Sequence, residues 1–248
     1  MVPDERQTAD LLPSTIHSLL NTPYADYLGV ETLFDLQVSK GVAADLHHPE
    51  EVVFRTVHMS SELWLRLAGY EIERGRAALE AGALVLASRL FRRSRMSVER
   101  VIEATSMLEH MPAPHYHQFR VALGNASGLQ SPGYAYVRRE CRKLSDAFES
   151  LVGDEDTLFA IYTGALDDPR YDLCEALLSL DATLDRFRTL HVQIAERFLG
   201  QTTQGTGGQG IGYLRGNLGH RAFPQLWTLR DRIARESGAI AYGSGEPR

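Results

Sequence analysis

Cysteine is almost absent from this 248-residue chain: Cys141 and Cys174 are the only two. They could form one bridge at most and lack CxxC spacing, which argues against a disulfide scaffold and a structural zinc site and makes a reducing cytoplasm the expected compartment. Long apolar runs are missing as well. No stretch approaches the roughly 18 uncharged apolar residues of a membrane span. Met1 to Asp10 carries Asp4, Glu5 and Asp10 where a signal peptide would have its apolar core, so neither a leader nor a span is expected. Positive charge is not in excess either. With 26 Lys and Arg against 32 Asp and Glu, the net charge is −6, which offers no footprint for a phosphate backbone or an anionic membrane.

Several catalytic signatures are also absent. The chain has no HExxH for a metalloprotease and no GxSxG for a serine hydrolase. Gly205-Thr206-Gly207-Gly208 is followed by no lysine and comes after a helical run, so it does not read as a phosphate-cradling loop. The GxGxxG-like stretch at Gly208 to Gly212 fails for the same reason. His47, His48, His110, His115 and His117 lie in or near expected loops with no carboxylate set at metal-ligand spacing. Short alternating β-branched runs bounded by turns are scarce, so strands are not expected.

What the chain does have is helical spacing. Between Pro49 and Pro112 there is no proline, and apolar residues from Val52 through Leu108 recur at steps of three and four. This predicts two or three helices, with breaks near Gly82 and at Ser94–Ser97. Further helices are expected over Tyr134 to Leu151, Asp156 to Leu166 and Tyr171 to Leu199. A last one runs from Ala222 to Ser237, with Pro224 in its first turn, where a missing N–H costs nothing. Glycine gathers at Gly124–Gly133 and Gly200–Gly219. The expected fold is therefore an all-α helical bundle with a glycine-rich loop, in one domain over residues 1–248.

Two histidines fall inside helical runs: His58, within Phe54-Arg55-Thr56-Val57-His58-Met59-Ser60-Ser61-Glu62-Leu63-Trp64, and His191, within Phe187-Arg188-Thr189-Leu190-His191-Val192. Taken alone, either is an ordinary hydrogen-bonded histidine. The segment Phe119-Arg120-Val121-Ala122-Leu123-Gly124-Asn125-Ala126-Ser127-Gly128-Leu129-Gln130-Ser131 resembles the FRxxLGxxSGFQS segment of the tryptophan 2,3-dioxygenase family. His58 to Trp64 resembles that family's HQTSELW, and Tyr24-Ala25-Asp26-Tyr27-Leu28 its YxxYL. Leu173-Cys174-Glu175, His191, Gly205 to Gly208 and Phe223-Pro224-Gln225-Leu226 follow in the family's order.

The resemblance implies a fold of the tryptophan/indoleamine dioxygenase type with haem b between helices, and His191 as the axial ligand of the haem iron. It implies that His58 is the distal histidine facing an indole N–H. Arg120 would bind the amino-acid carboxylate, a task suited to a planar, permanently charged fork. Thr206 would meet the ammonium and carboxylate. Phe54 and Tyr116 would line the indole pocket or support Arg120, and Ser127 and Gly128 would lie near the haem. Tyr24 and Tyr27 would reach a neighbouring subunit, which implies a homo-oligomer, a dimer or a tetramer. The implied activity is insertion of O2 at the indole C2–C3 bond of L-tryptophan or a substituted tryptophan, giving N-formylkynurenine. The alternative is a monooxygenase that leaves one oxygen atom on the ring as an oxindole or hydroxylated product.

Departures from the family accompany these matches. The chain is several tens of residues shorter between Arg138-Arg139-Glu140 and Leu173-Cys174-Glu175, and Gln201-Thr202-Thr203-Gln204 replaces a shorter, basic segment. Met59 stands for the usual glutamine, Thr105 for a tryptophan that abuts the haem, and Leu129 for phenylalanine.

Overall fold

A computed structural model describes residues 20–38, 46–124, 126–200, 211–216 and 218–236, and every regular element among them is helical. Four long helices carry the architecture: α3 (Glu50–Glu80), α4 (Leu84–Ser106), α6 (Pro132–Val152) and α8 (Pro169–Leu199). Shorter ones are α1 (Pro23–Leu28), α2 (Val30–Val38), α5 (Ala113–Phe119), α7 (Glu155–Thr163), α9 (Ile211–Arg215) and α10 (Pro224–Glu236).

Helix α3 opens with Glu50 and Glu51 in its first turn, where negative charge meets the helix dipole favourably. It ends where expected, at a turn in which Gly82 takes φ +72°, a conformation that costs glycine nothing. The break expected at Ser94–Ser97 does not occur; α4 runs through it. Ser97 Oγ donates to its own helix at the Arg93 carbonyl (3.0 Å), and Ser94 Oγ crosses to the Ala68 carbonyl of α3 (3.1 Å). The hydroxyls find backbone acceptors without disturbing the ladder, and their small size lets α3 and α4 approach closely. Gly75 serves the same contact, since a Cβ there would stand 2.3 Å from the Phe91 ring.

The other predicted helices appear with shifted ends. Ser131 caps α6, its Oγ accepting from the Tyr134 N–H (3.0 Å), and Pro132 occupies the first turn. Asp154 caps α7 by accepting from the Thr157 N–H (2.7 Å), and α7 stops at Gly164 rather than continuing to Leu166. Helix α8 begins at Pro169 behind the cap Asp168 and stops at Gly200, φ +68°. His115 and His117 lie on α5 rather than in a loop, a short helix that prolines at 112 and 114 help to start.

Helix α6 packs on α3, α3 on α4, and α4 on α8. The circuit stays open between α6 and α8, which meet through side chains such as Tyr134 and Phe187, ring centroids 5.6 Å apart. The main core, with Ile72, Phe91, Leu144, Phe148 and Leu177 fully buried, fills one end of the bundle. A smaller cluster of Val57, Leu108, Met111, Tyr116, Phe119, Ile194 and Phe198 closes the other. No helix among the described residues is long and apolar enough to cross a membrane.

Candidate active site

The opening between the long helices is a cavity of about 910 Å³, at the upper end of the range for small-molecule and cofactor sites. Phe54, His58, Ser61, Glu62 and Leu65 line it from α3. They recur at steps of three and four, which places them on one helical face. By the same periodicity α8 contributes Leu184, Phe187, Arg188, His191, Ala195 and Phe198. Thr105 borders the cavity from α4, Tyr116 from α5, and Ser127, Gly128 and Leu129 from the turn before α6. Two histidines far apart in the chain, His58 and His191, thus stand on the walls of one cavity.

Their protonation follows from their surroundings. His58 Nδ1 lies 2.7 Å from the Phe54 carbonyl one turn earlier. A carbonyl only accepts, so Nδ1 carries the proton and donates it, and in the neutral ring Nε2 keeps its lone pair. The ring opens onto the cavity but is surrounded by protein, and this burial holds its pKa below 6.5 against the opposing pull of the Phe54 bond and the Glu62 charge. His191 is lowered for the same first reason, burial, and secondly by the nearby His58. Both imidazoles are therefore neutral bases at neutral pH. Among the described residues nothing hydrogen-bonds the His191 ring, and the Phe187 ring lies beside it at 6.2 Å.

The surroundings suit a flat, largely apolar group held through a single nitrogen. Gly128 faces His191 so closely that a Cβ there would sit 3.3 Å from His191 Nε2, so only glycine leaves that side of the nitrogen uncrowded. Ser61 Oγ is buried on the cavity wall without a hydrogen-bond partner among the described residues, which leaves a polar contact for a ligand to complete. The described residues contain no cluster of three or more His, Cys, Asp or Glu able to hold a bare metal ion. Haem would need one imidazole from the protein, its macrocycle supplying the other donors, and the residues present fit that requirement through His191.

The remaining predicted site residues divide three ways. Phe54 and Tyr116 are on the cavity wall and belong to one aromatic group: Phe54 lies 4.1 Å from the His58 ring and 5.9 Å from Tyr116, and Tyr116 stacks on Phe198 at 4.7 Å. Ser127 lines the cavity too and also caps the turn, its Oγ accepting from the Leu129 N–H while the Gln130 side chain accepts from the Ser127 N–H. Arg120 is half-buried beside Tyr116, near enough for its charge to oppose the rise that burial causes in the phenol pKa, but it is not part of the wall formed by the described residues. Tyr24 and Tyr27 are not part of the wall formed by the described residues and are 71% and 89% exposed on α1. Thr206 lies outside the described residues. Both cysteine thiols are free and buried, and burial pushes each up to about 12, so neither is a nucleophile.

Sequence reasoning missed Ser61, Glu62 and the cations Arg138, Arg142 and Arg188 on the wall. Ser61 and Glu62 were within reach, one turn beyond His58 on its own helical face. Glu62 also accepts from the Gly133 N–H (2.8 Å), tying α3 to the start of α6.

The family model described as tryptophan 2,3-dioxygenase matches residues 13–153. The tryptophan 2,3-dioxygenase of Ruegeria sp. (strain TM1040) is 30% identical over 263 residues, covering 84% of this chain and 91% of the relative. That of Myxococcus xanthus (strain DK1622) is 26% identical over 289 residues, covering 94% and 97%, and that of Pseudomonas fluorescens is 25% identical, covering 85% and 90%. These spans exceed the 248 residues of this chain, so the relatives carry insertions that it lacks.

Proposed function

The chain belongs to the tryptophan 2,3-dioxygenase family, and from that premise we propose that it holds haem b between α6 and α8 and uses O2 to open the indole ring of L-tryptophan, giving N-formylkynurenine. The observation that carries the proposal is the pair His58 and His191, both neutral, on the walls of a cavity large enough for cofactor and substrate.

His191 would bind the iron through Nε2, the nitrogen facing Gly128. A neutral imidazole is the required form, and burial supplies it at no cost in protons. The bound haem supplies the reduced iron at which dioxygen becomes reactive toward carbon. His58, with its Nδ1 proton committed to the Phe54 carbonyl, presents a lone pair on Nε2 that can accept the indole N–H and hold the ring in one orientation. Phe54 and Tyr116 would flank the indole. The apolar cluster behind them, Val57, Leu108, Ile194 and Phe198, keeps water from that end of the cavity. Arg120 would fork onto the substrate carboxylate and Thr206 would meet the ammonium. Tyr24 and Tyr27, so exposed here, would be covered in a homo-oligomer.

The test is the mass of the product. Haem-reconstituted, reduced protein supplied with L-tryptophan in air should yield a compound heavier by two oxygen atoms; a gain of one oxygen, or no turnover, overturns the assignment.

A further inference from the structure

The cavity wall changes character along α6. Around Tyr134 and Val137 it is apolar; from Arg138 onward it is cationic, with Arg138, Arg139, Arg142 and Lys143 all bordering the space. Glu140, wholly buried, takes up two of these charges: Arg139 Nε donates to it at 2.9 Å and Lys143 Nζ at 3.0 Å. Across the cavity Arg188 is held by Asp185 (3.2 Å) and the His220 carbonyl (2.6 Å). Arg221 is held by Asp185 (3.1 Å) and lies over the Trp227 ring at 4.0 Å. Among the described residues, Arg138 and Arg142 have no such partner. Asp146 and Glu149 border the same wall further along α6 and form no ion pair with either.

Arg138 and Arg142 are four residues apart, one turn and ~6 Å along the axis, so they project from one side of the helix. Like charges at this spacing weaken a helix. They gain nothing from each other and are placed to act together on something anionic. Counted from Ser131 beside the Gly128 turn, they lie ~10 and ~16 Å along α6, away from the end where Phe54, Tyr116 and Phe198 close the cavity. The space is thus apolar at one end and carries two uncommitted guanidinium groups at the other.

A ligand complementary to this is a flat apolar body with carboxylates along one edge. Haem has that form, with two propionate carboxylates on one side of an apolar disc, and the planar guanidinium is the side chain that best matches a carboxylate. Resting on the haem reading above, we infer that Arg138 and Arg142 bind the two haem propionates and so fix which edge of the cofactor faces the mouth.

The experiment is a Soret-band titration of the full-length protein and of the double variant Arg138→Gln/Arg142→Gln, each with haem and with haem dimethyl ester, whose carboxylates carry no charge. Both arginines are exposed on a helix surface, and far-ultraviolet circular dichroism verifies that the variant is folded. The wild type should bind haem about tenfold or more tightly than the ester, two charge-assisted contacts being at stake. The variant should bind haem only as tightly as the ester, with ester affinity unchanged. Equal haem affinity in wild type and variant overturns the inference while the haem reading stands. Haem affinity held constant while tryptophan affinity falls overturns it in favour of a substrate role. A wild type that shows no Soret band with either compound defeats the haem reading itself and this inference with it.

Discussion

At the scale of single residues, the two cavity histidines behave as a matched pair of neutral bases, and this has a pH signature. Burial lowers both pKa values below the ordinary 6.5. As pH falls below about 6.5, the unfolded chain takes up protons that the folded one refuses. Stability from these groups is therefore complete above that pH and lost progressively below it. Urea midpoints of the haem-free protein should fall between pH 7 and pH 5, and fall less steeply for His58→Gln; parallel pH profiles would show that His58 is not depressed. Arg120 calls for a different test, since it sits beside Tyr116 rather than on the described wall. If its guanidinium holds the substrate carboxylate, Arg120→Lys should weaken tryptophan binding nearly as much as Arg120→Ala, by about thirty-fold or more, because losing a charged partner typically costs ~2–5 kcal/mol. Tryptamine, which has no carboxylate, should bind all three proteins alike. Equal losses for both ligands would make Arg120 structural. His58 and His191 were legible in the sequence because the segments around them, with the Phe119–Ser131 segment, resemble family motifs in the family's order, whereas a helical run alone would have left each an ordinary histidine. Arg138 and Arg142 were not, because nothing in a sequence distinguishes an arginine facing a cavity from one facing water.

At the scale of elements, long helices were legible and their fine divisions were not. A 3.6-residue repeat survives over the whole of α3, α4 and α8, and Gly82, Gly153 and Gly200 stop helices as their conformational freedom predicts. Ser94 and Ser97 misled because serine's habit of competing with the backbone is neutralised when the hydroxyl finds a carbonyl on its own or the adjacent helix. No local pattern could reveal how the cavity mouth is anchored. Asp181 of α8 is fully buried and accepts from the Ala222 N–H (3.0 Å), the Phe223 N–H (3.4 Å) and Trp227 Nε1 (2.9 Å). One turn on, Asp185 accepts from the Gly219 N–H (3.2 Å) and pairs with Arg221. The helix that carries His191 thus also seats the start of α10 and the mouth of the cavity. Asp181→Leu would leave three donors without an acceptor, at a cost of about 3 kcal/mol or more. Asp181→Asn, which keeps one oxygen, should lose less. Urea unfolding read by tryptophan fluorescence decides this, and a leucine variant within about 0.5 kcal/mol of wild type would show that Asp181 does not anchor the segment.

For the whole molecule, the bundle, the cavity and the family agree on one arrangement. The all-α architecture follows from periodicity alone, whereas the cavity arises because α6 and α8 fail to close a circuit that α3 and α4 begin, a tertiary fact no local pattern records. The order of motifs along the chain stood in for it: segments widely separated in sequence, around His58, Ser127 and His191, are those the fold brings to one space. Helix α7 is the connector between α6 and α8, and all four long helices reach the cavity wall. The central claim is that His191 is the residue through which this molecule holds haem. The most direct measurement is the Soret spectrum of His191→Gly, reconstituted with haem in the absence and presence of imidazole. The account predicts that the substitution abolishes most haem retention and that imidazole, entering the space the side chain vacated, restores a wild-type-like band. Haem loading that is unchanged by the substitution, with a spectrum indifferent to imidazole, would contradict it.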